Sequence, residues 1–317
     1  MRKWKLKAFT QRILSSMPGG VFLNTCCQRF ITKGLVLTPR MFEIKLRQAQ
    51  THLDHAKPVA GRLGSDFTVL DLGTGWFPIV PVAMYLCGAS KVWTVDIAPL
   101  LAPVRCRKVF EFFVEYARSG RLVELLPYAD RERVGLLAEV GLSMSRRHTV
   151  PEMLAHANVE WVVGDVRSAS LEPYSVDLFV SNCVLEHIQG DDIVEIFRAF
   201  GRLATQNGVM DHLIDLSDHY TSCDHSITAY NFLKYSDMEW RKYNNALHYQ
   251  NRLRFSDYRG IHEKGGFRIV GEYPVRCTEE QLDSVCLAPQ FRRYDRQDLL
   301  ITGGSFVSVP TQGPHSI

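Results

Sequence analysis

Three short apolar runs end on residues that could hold a ligand. Phe67-Thr68-Val69-Leu70 runs into Asp71-Leu72-Gly73-Thr74-Gly75, Lys91 to Val95 ends at Asp96, and Val159 to Val163 is followed by Gly164-Asp165. Glycines at such a turn let the backbone approach a ligand closely, because no Cβ intervenes. A carboxylate closing the second run can accept both hydroxyl hydrogens of a ribose, and one after the third can accept from an adenine amino group. The dinucleotide pattern of three glycines fails, since Pro78 stands at the third position. A pyrophosphate needs an accessible helix N-terminus at that point, whereas a nucleoside without phosphates does not.

A second group of chemistry-bearing residues lies downstream. His187 follows a fourth apolar run, Val176 to Ser181, and His212, Asp215, Asp218 and His219 surround the end of a fifth, Gly208 to Leu216. A His steered by a nearby Asp is a common general base, and His219 with Asp215 or Asp218 is the first candidate, with His187 second. Asp211, His212, Asp215, Asp218, His219, Asp224 and His225 also raise a metal reading, but their spacing matches no defined ligand motif. No metal is therefore expected.

The elements that must position these residues alternate. Strand, glycine turn, helix (79–88) and strand form a βαβ unit, and Asp191 to Leu203 reads as an amphipathic helix with two acids at its start. Further strands are read at 267–270 and 299–309. Strands alternating with helices imply a mostly parallel sheet covered on both faces, with ligands outside the carboxyl ends of the strands. The expected organisation is a basic helical segment at 1–64, a ligand-binding core at 65–216 with an insertion at 97–157, an acceptor-binding insertion at 217–260 and sheet-completing strands at 261–317.

In this order the motifs resemble the class I S-adenosylmethionine-dependent methyltransferases, over roughly residues 65–215. Val69 to Gly75, Val95-Asp96, Gly164-Asp165 and the stretch Val176 to Ile188 carry the likeness. It implies a Rossmann-like seven-stranded, mostly parallel sheet with helical insertions, and S-adenosyl-L-methionine as cofactor. By this likeness Gly73, Gly75 and Asp96 hold the methionine and ribose ends, with Asp71, Thr74 and Ile97 completing that side. Asp165 and Val166 hold adenine, and Asn182 sits beneath the sulfonium. Trp76 departs from the small residue many relatives keep, and reads equally as pocket wall or core.

A looser likeness, carried by His212 to His219, Asn231 to Leu233 and Asn251 to Arg254, is to bacterial methyltransferases that decorate cell-surface glycans or secondary metabolites. It implies a small-molecule or glycan-type acceptor. Ser181-Asn182-Cys183-Val184 stands where many nitrogen methyltransferases carry an Asn-Pro-Pro-Tyr type motif, which favours O-methylation. A non-catalytic cofactor-binding partner protein and a nicotinamide oxidoreductase are the competing readings. The segment 217–260, rich in Tyr and Arg, reads either as an acceptor lid or as a subdomain with an aromatic core.

The composition agrees with an ordinary globular chain: 317 residues, 46% hydrophobic and 22% charged. No apolar run approaches the roughly 18–20 residues of a spanning helix. Eight cysteines without a CxxC pair argue against a zinc ribbon, and a reducing cytoplasm is the simplest compartment. Cys87 and Cys183 read as small core residues. Of 37 basic side chains, eight precede the first acid, Glu43, so residues 1–42 carry +8 and the rest, with 29 basic and 34 acidic, carries −5. That distribution argues against a broad nucleic-acid surface. Leu6, Phe9, Ile13 and Met17 form a stripe at helical spacing in residues 1–20. The stripe is expected to pack on the catalytic domain; the alternative is weak peripheral contact with the membrane's inner face.

Overall fold

The computed structural model describes residues 2–17, 36–60, 63, 66–145 and 147–311. Its strands are β1 (Thr68–Leu72), β2 (Lys91–Asp96), β3 (Val159–Val163), β4 (Val176–Asn182), β5 (Ala204–Asp215), β6 (Phe267–Arg276) and β7 (Ile301–Pro310). They form one sheet in the order β3-β2-β1-β4-β5-β7-β6. The first five strands pair in parallel, with Thr68 opposite Lys91 and Val69 opposite Leu178. Strand β7 inserts antiparallel between β5 and β6. The expected Rossmann-like, mostly parallel sheet of seven strands is the fold observed.

Side-chain alternation along the strands sorts the core into two faces. Val69, Leu178, Val180 and Val209 point to one side. There they meet α2 (Pro39–Ala60), α3 (Ile79–Leu86), α4 (Pro103–Arg118), α5 (Arg121–Leu125), α6 (Arg131–Ser143) and α7 (Val150–Ala155). Leu70, Phe179, Met210 and Ile214 point to the other side, under α8 (Gly190–Leu203). In α8, Ile193, Ile196, Phe197, Phe200 and Leu203 recur at three and four residues, and Asp191 and Asp192 occupy the first turn, where the helix dipole favours acids. Segment 97–157 is thus built into the core through four helices. Its charged part, α6, is capped by Asp130, which accepts from Arg133 N at 2.9 Å, and buries only Leu137.

Strand β6 runs further than the sequence run 267–270 suggests. It is an edge strand whose apolar pattern breaks at Gly271 and Pro274, and a proline is tolerated on an edge because no ladder donor is needed there.

Residues 217–260 fold back over the carboxyl ends of β4 and β5. They include α9 (Asp237–Trp240) and lead into α10 (Phe255–Lys264), which packs beside α8. Tyr220, Tyr230, Phe232 and Trp240 are buried in a third cluster together with Trp4. Trp4 belongs to α1 (Lys3–Ser15). The aromatic residues of this segment are therefore mostly core. Its arginines are also engaged: Arg252 donates to Phe232 O at 2.8 Å, and Arg259 to Glu272 at 2.7 Å.

Two expectations fail here. The stripe Leu6, Phe9, Ile13 and Met17 does not pack on the body. It is 45–58% exposed, while Trp4, Ala8 and Gln11 on the opposite face are buried. A single tryptophan and a small residue fit the lid's aromatic cluster better than the longer aliphatic row does. Cys183 is exposed rather than core, because the chain leaves β4 just before it and turns at φ +58°.

Past α11 (Glu279–Asp283) and α12 (Arg296–Leu299), β7 closes the sheet. Arg254, fully buried, clamps this closure. It donates to Leu216 O at 3.1 Å and to Ile301 O. Arg254→Ala leaves two buried strand-end carbonyls without their donor, so a loss of about 3 kcal/mol in urea unfolding is expected. A loss well under about 1 kcal/mol would show the clamp to be idle.

Candidate active site

The chain runs from β1 toward β2 on one side and from β4 toward β5 on the other, so the carboxyl ends of β1 and β4 open a crevice. A cavity of about 390 Å³ lies there, lined by Gly73, Asp96, Ile97, Asp165, Val166 and His187 among others. Five of the nine cofactor residues read from the sequence thus share one cavity with a catalytic candidate.

Each strand end contributes differently. Gly73 has φ +78°, and a Cβ there would lie 2.4 Å from Val184 Cγ2. Gly75 has φ +68°, and a Cβ there would meet nothing within 4 Å, so the turn leaves space beside its backbone. Asp96 is half-buried and accepts from Gly75 N at 3.0 Å and Ala98 N at 3.1 Å, which fixes the carboxylate at the end of β2. Ile97 is 81% exposed, an apolar side chain in a position that a planar base can cover. Asp165 accepts from Arg167 N at 2.9 Å and pairs with the Arg167 guanidinium at 2.6 Å; Arg167 also reaches Asp192 at 2.7 Å. The guanidinium holds the Asp165 carboxyl below its usual pKa. Its remaining lone pairs can accept an amino group.

The other residues of the set stand behind the cavity. Asp71 is buried under the glycine turn, accepts from Thr94 Oγ1 at 2.8 Å, and is pushed up to about 6 by burial. Thr74 Oγ1 contacts Thr94 Oγ1. Asn182 is tied to α2, its Oδ1 lying 3.2 Å from His52 Nε2. Trp76 is half-buried beneath the Arg105 guanidinium, 4.7 Å from the ring centroid, and does not line the cavity.

Beyond His187 lies the polar group the sequence only partly foresaw. The His187 and His219 rings are 5.0 Å apart. His219 Nε2 lies 3.3 Å from Asp215 Oδ2 and 3.9 Å from Glu186 Oε1. Burial alone would lower the His219 pKa, but the hydrogen bond and charge of Asp215 outweigh it and raise it. Asp215 is correspondingly lowered, since His219 and Ser217 overcome the cost of its burial. Glu186 is 1% exposed, neither of its carboxyl oxygens has a hydrogen-bond partner among the described residues, and burial pushes it up to about 8.

The sequence choice between Asp215 and Asp218 is decided by geometry. Asp218 is buried and committed to Tyr220 N and Asn231 Nδ2, each at 2.8 Å. His212 is no base. It is fully buried between Phe197 and Phe200, bonds Ser181 Oγ at 2.9 Å, and is lowered to about 3 by burial. Asp211 instead accepts from His52 Nδ1 at 2.9 Å and His55 Nδ1 at 3.0 Å. Those two rings outweigh its burial and hold it at about 2.

Three residues missed from the sequence brace this group. His187 Nδ1 donates to Tyr249 O at 2.6 Å, Gln250 Oε1 accepts from His219 N at 3.2 Å, and Asn251 Nδ2 donates to Leu185 O at 2.9 Å and Ile188 O at 2.7 Å. Only the position of Asn251 at the start of a short polar run hinted at this.

Glu186, His187 and His219 each present a ligand atom within 4.8 Å of the others, so they could hold a divalent ion. Such binding must first displace the proton that burial keeps on Glu186. Of the residues in the sequence's metal reading, Asp215 and His219 meet in this group, whereas Asp211 serves α2 and Asp224 accepts from Trp4 N at 3.2 Å.

A family profile described as a methyltransferase domain matches residues 119–210, from the end of α4 through most of β5. No curated protein matches the chain. Several solved structures superpose loosely. A TehB-like SAM-dependent methyltransferase from Corynebacterium glutamicum has a TM-score of 0.41 and 12% identity, covering 93% of this chain and 100% of its own. A phosphoethanolamine N-methyltransferase 2 from Haemonchus contortus has 0.42 and 14%, covering 83% and 52%. A geranyl diphosphate C-methyltransferase from Streptomyces coelicolor has 0.42 and 13%, covering 82% and 76%. The sheet order and the strand-end crevice are those of a Rossmann-like fold, and the stretch matched as a methyltransferase domain runs through its middle, from the end of α4 into β5. The crevice suits S-adenosylmethionine: apolar walls for a base, a carboxylate for a ribose, and open space beside Gly75.

Two measurements follow from this geometry. Gly73→Ala and Asp96→Ala are each expected to weaken S-adenosylhomocysteine binding more than tenfold by calorimetry while the proteins remain folded; unchanged affinity in both would refute the strand-end assignment. Burial raises the folded pKa of Glu186 to about 8, above the ordinary glutamate value of 4.5. Its contribution is therefore fully present below about pH 4.5 and lost as pH rises through about 8. Relative to Glu186→Gln, the wild-type chain should lose stability steadily across that window; parallel stability profiles would show that the carboxyl is not buried as described.

Proposed function

We propose that the chain transfers a methyl group from S-adenosylmethionine to a hydroxyl of a small-molecule or glycan-type acceptor. The observation that carries the choice of a hydroxyl is the His219–Asp215 pair with buried Glu186, set one ring beyond the cavity wall at His187. An alcohol is a poor nucleophile until its proton leaves, so it needs a base beside it. When bound, S-adenosylmethionine supplies an electrophilic methyl on a positively charged sulfur.

The chain's residues account for the rest. Asp96 and Asp165 orient the nucleoside end, and apolar Ile97, Val166 and Val184 exclude water from it. His219 takes the acceptor hydroxyl proton at its ring nitrogen, and Asp215 stabilises the imidazolium that results. Tyr249 O holds the His187 ring at the boundary between the two compartments. Burial raises Glu186 to about 8, so at neutral pH it adds no second negative charge beside Asp215.

Calorimetry with S-adenosylhomocysteine and with NADH tests the reading at its base. The first should bind; NADH alone binding would reverse it. Transfer of labelled methyl to a panel of sugar nucleotides and hydroxylated metabolites tests the acceptor class. On any acceptor found, kcat/KM should rise with pH through the raised His219 ionisation. His219→Ala should reduce kcat/KM by roughly 10²–10⁴-fold without changing cofactor affinity, and activity should survive chelation of divalent ions. A nitrogen product, or loss of activity with chelator, would displace the His219 base.

A further inference from the structure

We propose that α1 docks the protein on an anionic lipid surface, through the face opposite the one that packs on the body. At roughly 100° per residue, Trp4, Ala8 and Gln11 fall on one side of the helix. Leu6, Phe9 and Ile13 cluster about 180° away, and Met17 follows just past the end of the helix. The first set is 0%, 0% and 5% exposed. The second is 54%, 58%, 45% and 47% exposed. No helix among the described residues is long and apolar enough to cross a membrane, so the contact is one of lying on a surface.

The helix is held so that this stripe cannot roll inward. The Trp4 ring sits 4.8 Å from Tyr243 and 5.4 Å from Tyr220, and Trp4 N donates to Asp224 Oδ2 at 3.2 Å. At the other end Arg12 Nη1 donates to Arg241 O at 3.4 Å. Anchors at Trp4 and Arg12, about two turns apart, fix the rotation of the helix about its axis.

Charge selects the occupant. On the helical wheel Lys3 and Lys7 lie to one side of the stripe and Lys5 and Arg12 to the other; Lys3, like Arg2 before it, is exposed, whereas the Lys5 and Lys7 ammonium groups lie 5.5 Å and 5.8 Å from the Trp4 and Tyr220 ring centroids and face the body. No acid precedes Glu43. A row of apolar side chains beside exposed Arg2 and Lys3 suits a bilayer whose headgroups are anionic, because long basic stems can lie along the apolar zone while their charged ends reach the phosphates. A second copy of the chain is a poorer partner: a two-fold contact between identical stripes would bring the basic residues beside them together. The net −5 of the remaining chain is repelled from such a surface, which turns the body away from it. Tyr220, against which Trp4 packs, directly follows His219, so the docked helix and the acceptor compartment share one cluster. Resting on the proposed methyl transfer, this placement points to an acceptor carried at the membrane surface, such as a glycan or metabolite on a lipid anchor.

Flotation of the full chain with phosphatidylcholine vesicles, with and without a third of phosphatidylglycerol, tests the docking. The chain should float with the anionic vesicles at 50 mM NaCl, should be released by 500 mM, and should ignore pure phosphatidylcholine. Phe9→Ser with Ile13→Ser, and separately Lys3→Glu, should each bind at least tenfold less while keeping the wild-type melting temperature and S-adenosylhomocysteine affinity. Absence of the wild-type chain from the anionic float at low salt would overturn the proposal, as would equal flotation of the serine variant. A concentration-dependent dimer abolished by the serine pair would make the stripe a protein interface instead. Failure of the wild-type chain to bind S-adenosylhomocysteine would sink the methyltransferase reading and leave the docking result standing.

Discussion

The close pass of Gly73 beneath Val184 is the contact on which the rest depends. Strands β1 and β4 are neighbours, yet the chain departs from them in opposite directions, and the two turns leaving them must cross within van der Waals distance. Only a residue without Cβ and tolerant of positive φ can stand there. That contact sets the depth of the crevice, and depth decides that a nucleoside can lie against Asp96 and Asp165 while its reactive end faces the 184–188 turn. Pro78, buried just downstream, removes a donor from the helix start that a pyrophosphate would have used.

Electrostatics then separates the two halves of the site. The cofactor side gives its carboxylates partners: Gly75 N and Ala98 N hold Asp96 in place, and the Arg167 guanidinium keeps Asp165 ionised. The acceptor side does the reverse with Glu186, which burial leaves protonated at neutral pH while Asp215 beside it stays ionised against His219. Two carboxyls a short distance apart with opposed protonation preferences are a recurrent signature of acid–base chemistry. The arrangement depends on the strap Tyr249-Gln250-Asn251, whose polar groups reach His187 O-to-ring, His219 at its backbone, and the 185–188 turn.

What could be read from the sequence was whatever is local. Strand ends announce themselves because a β-rich run, a glycine and an acid fall within a few residues, and so the order of Asp71, Asp96 and Asp165 already gave the crevice. Glu186 was overlooked because its significance comes from burial by a segment more than sixty residues later, which no periodicity records. His52 and His55 were likewise silent until α2 brought them to Asp211, over 150 residues away. The amphipathic stripe of α1 was visible, but not which face would be buried: Trp4, Ala8 and Gln11 look unremarkable in a pattern search, and only the aromatic pocket of the lid selects them.

Hydrogen exchange measured with and without S-adenosylhomocysteine tests the crevice most directly, because it reads each strand end separately. The account predicts slowed exchange in peptides covering Gly73 to Gly75, Asp96-Ile97 and Asp165 to Arg167, with little change at the far edge in β6. Protection confined to other segments, or protection of these peptides by NADH and not by S-adenosylhomocysteine, would contradict it.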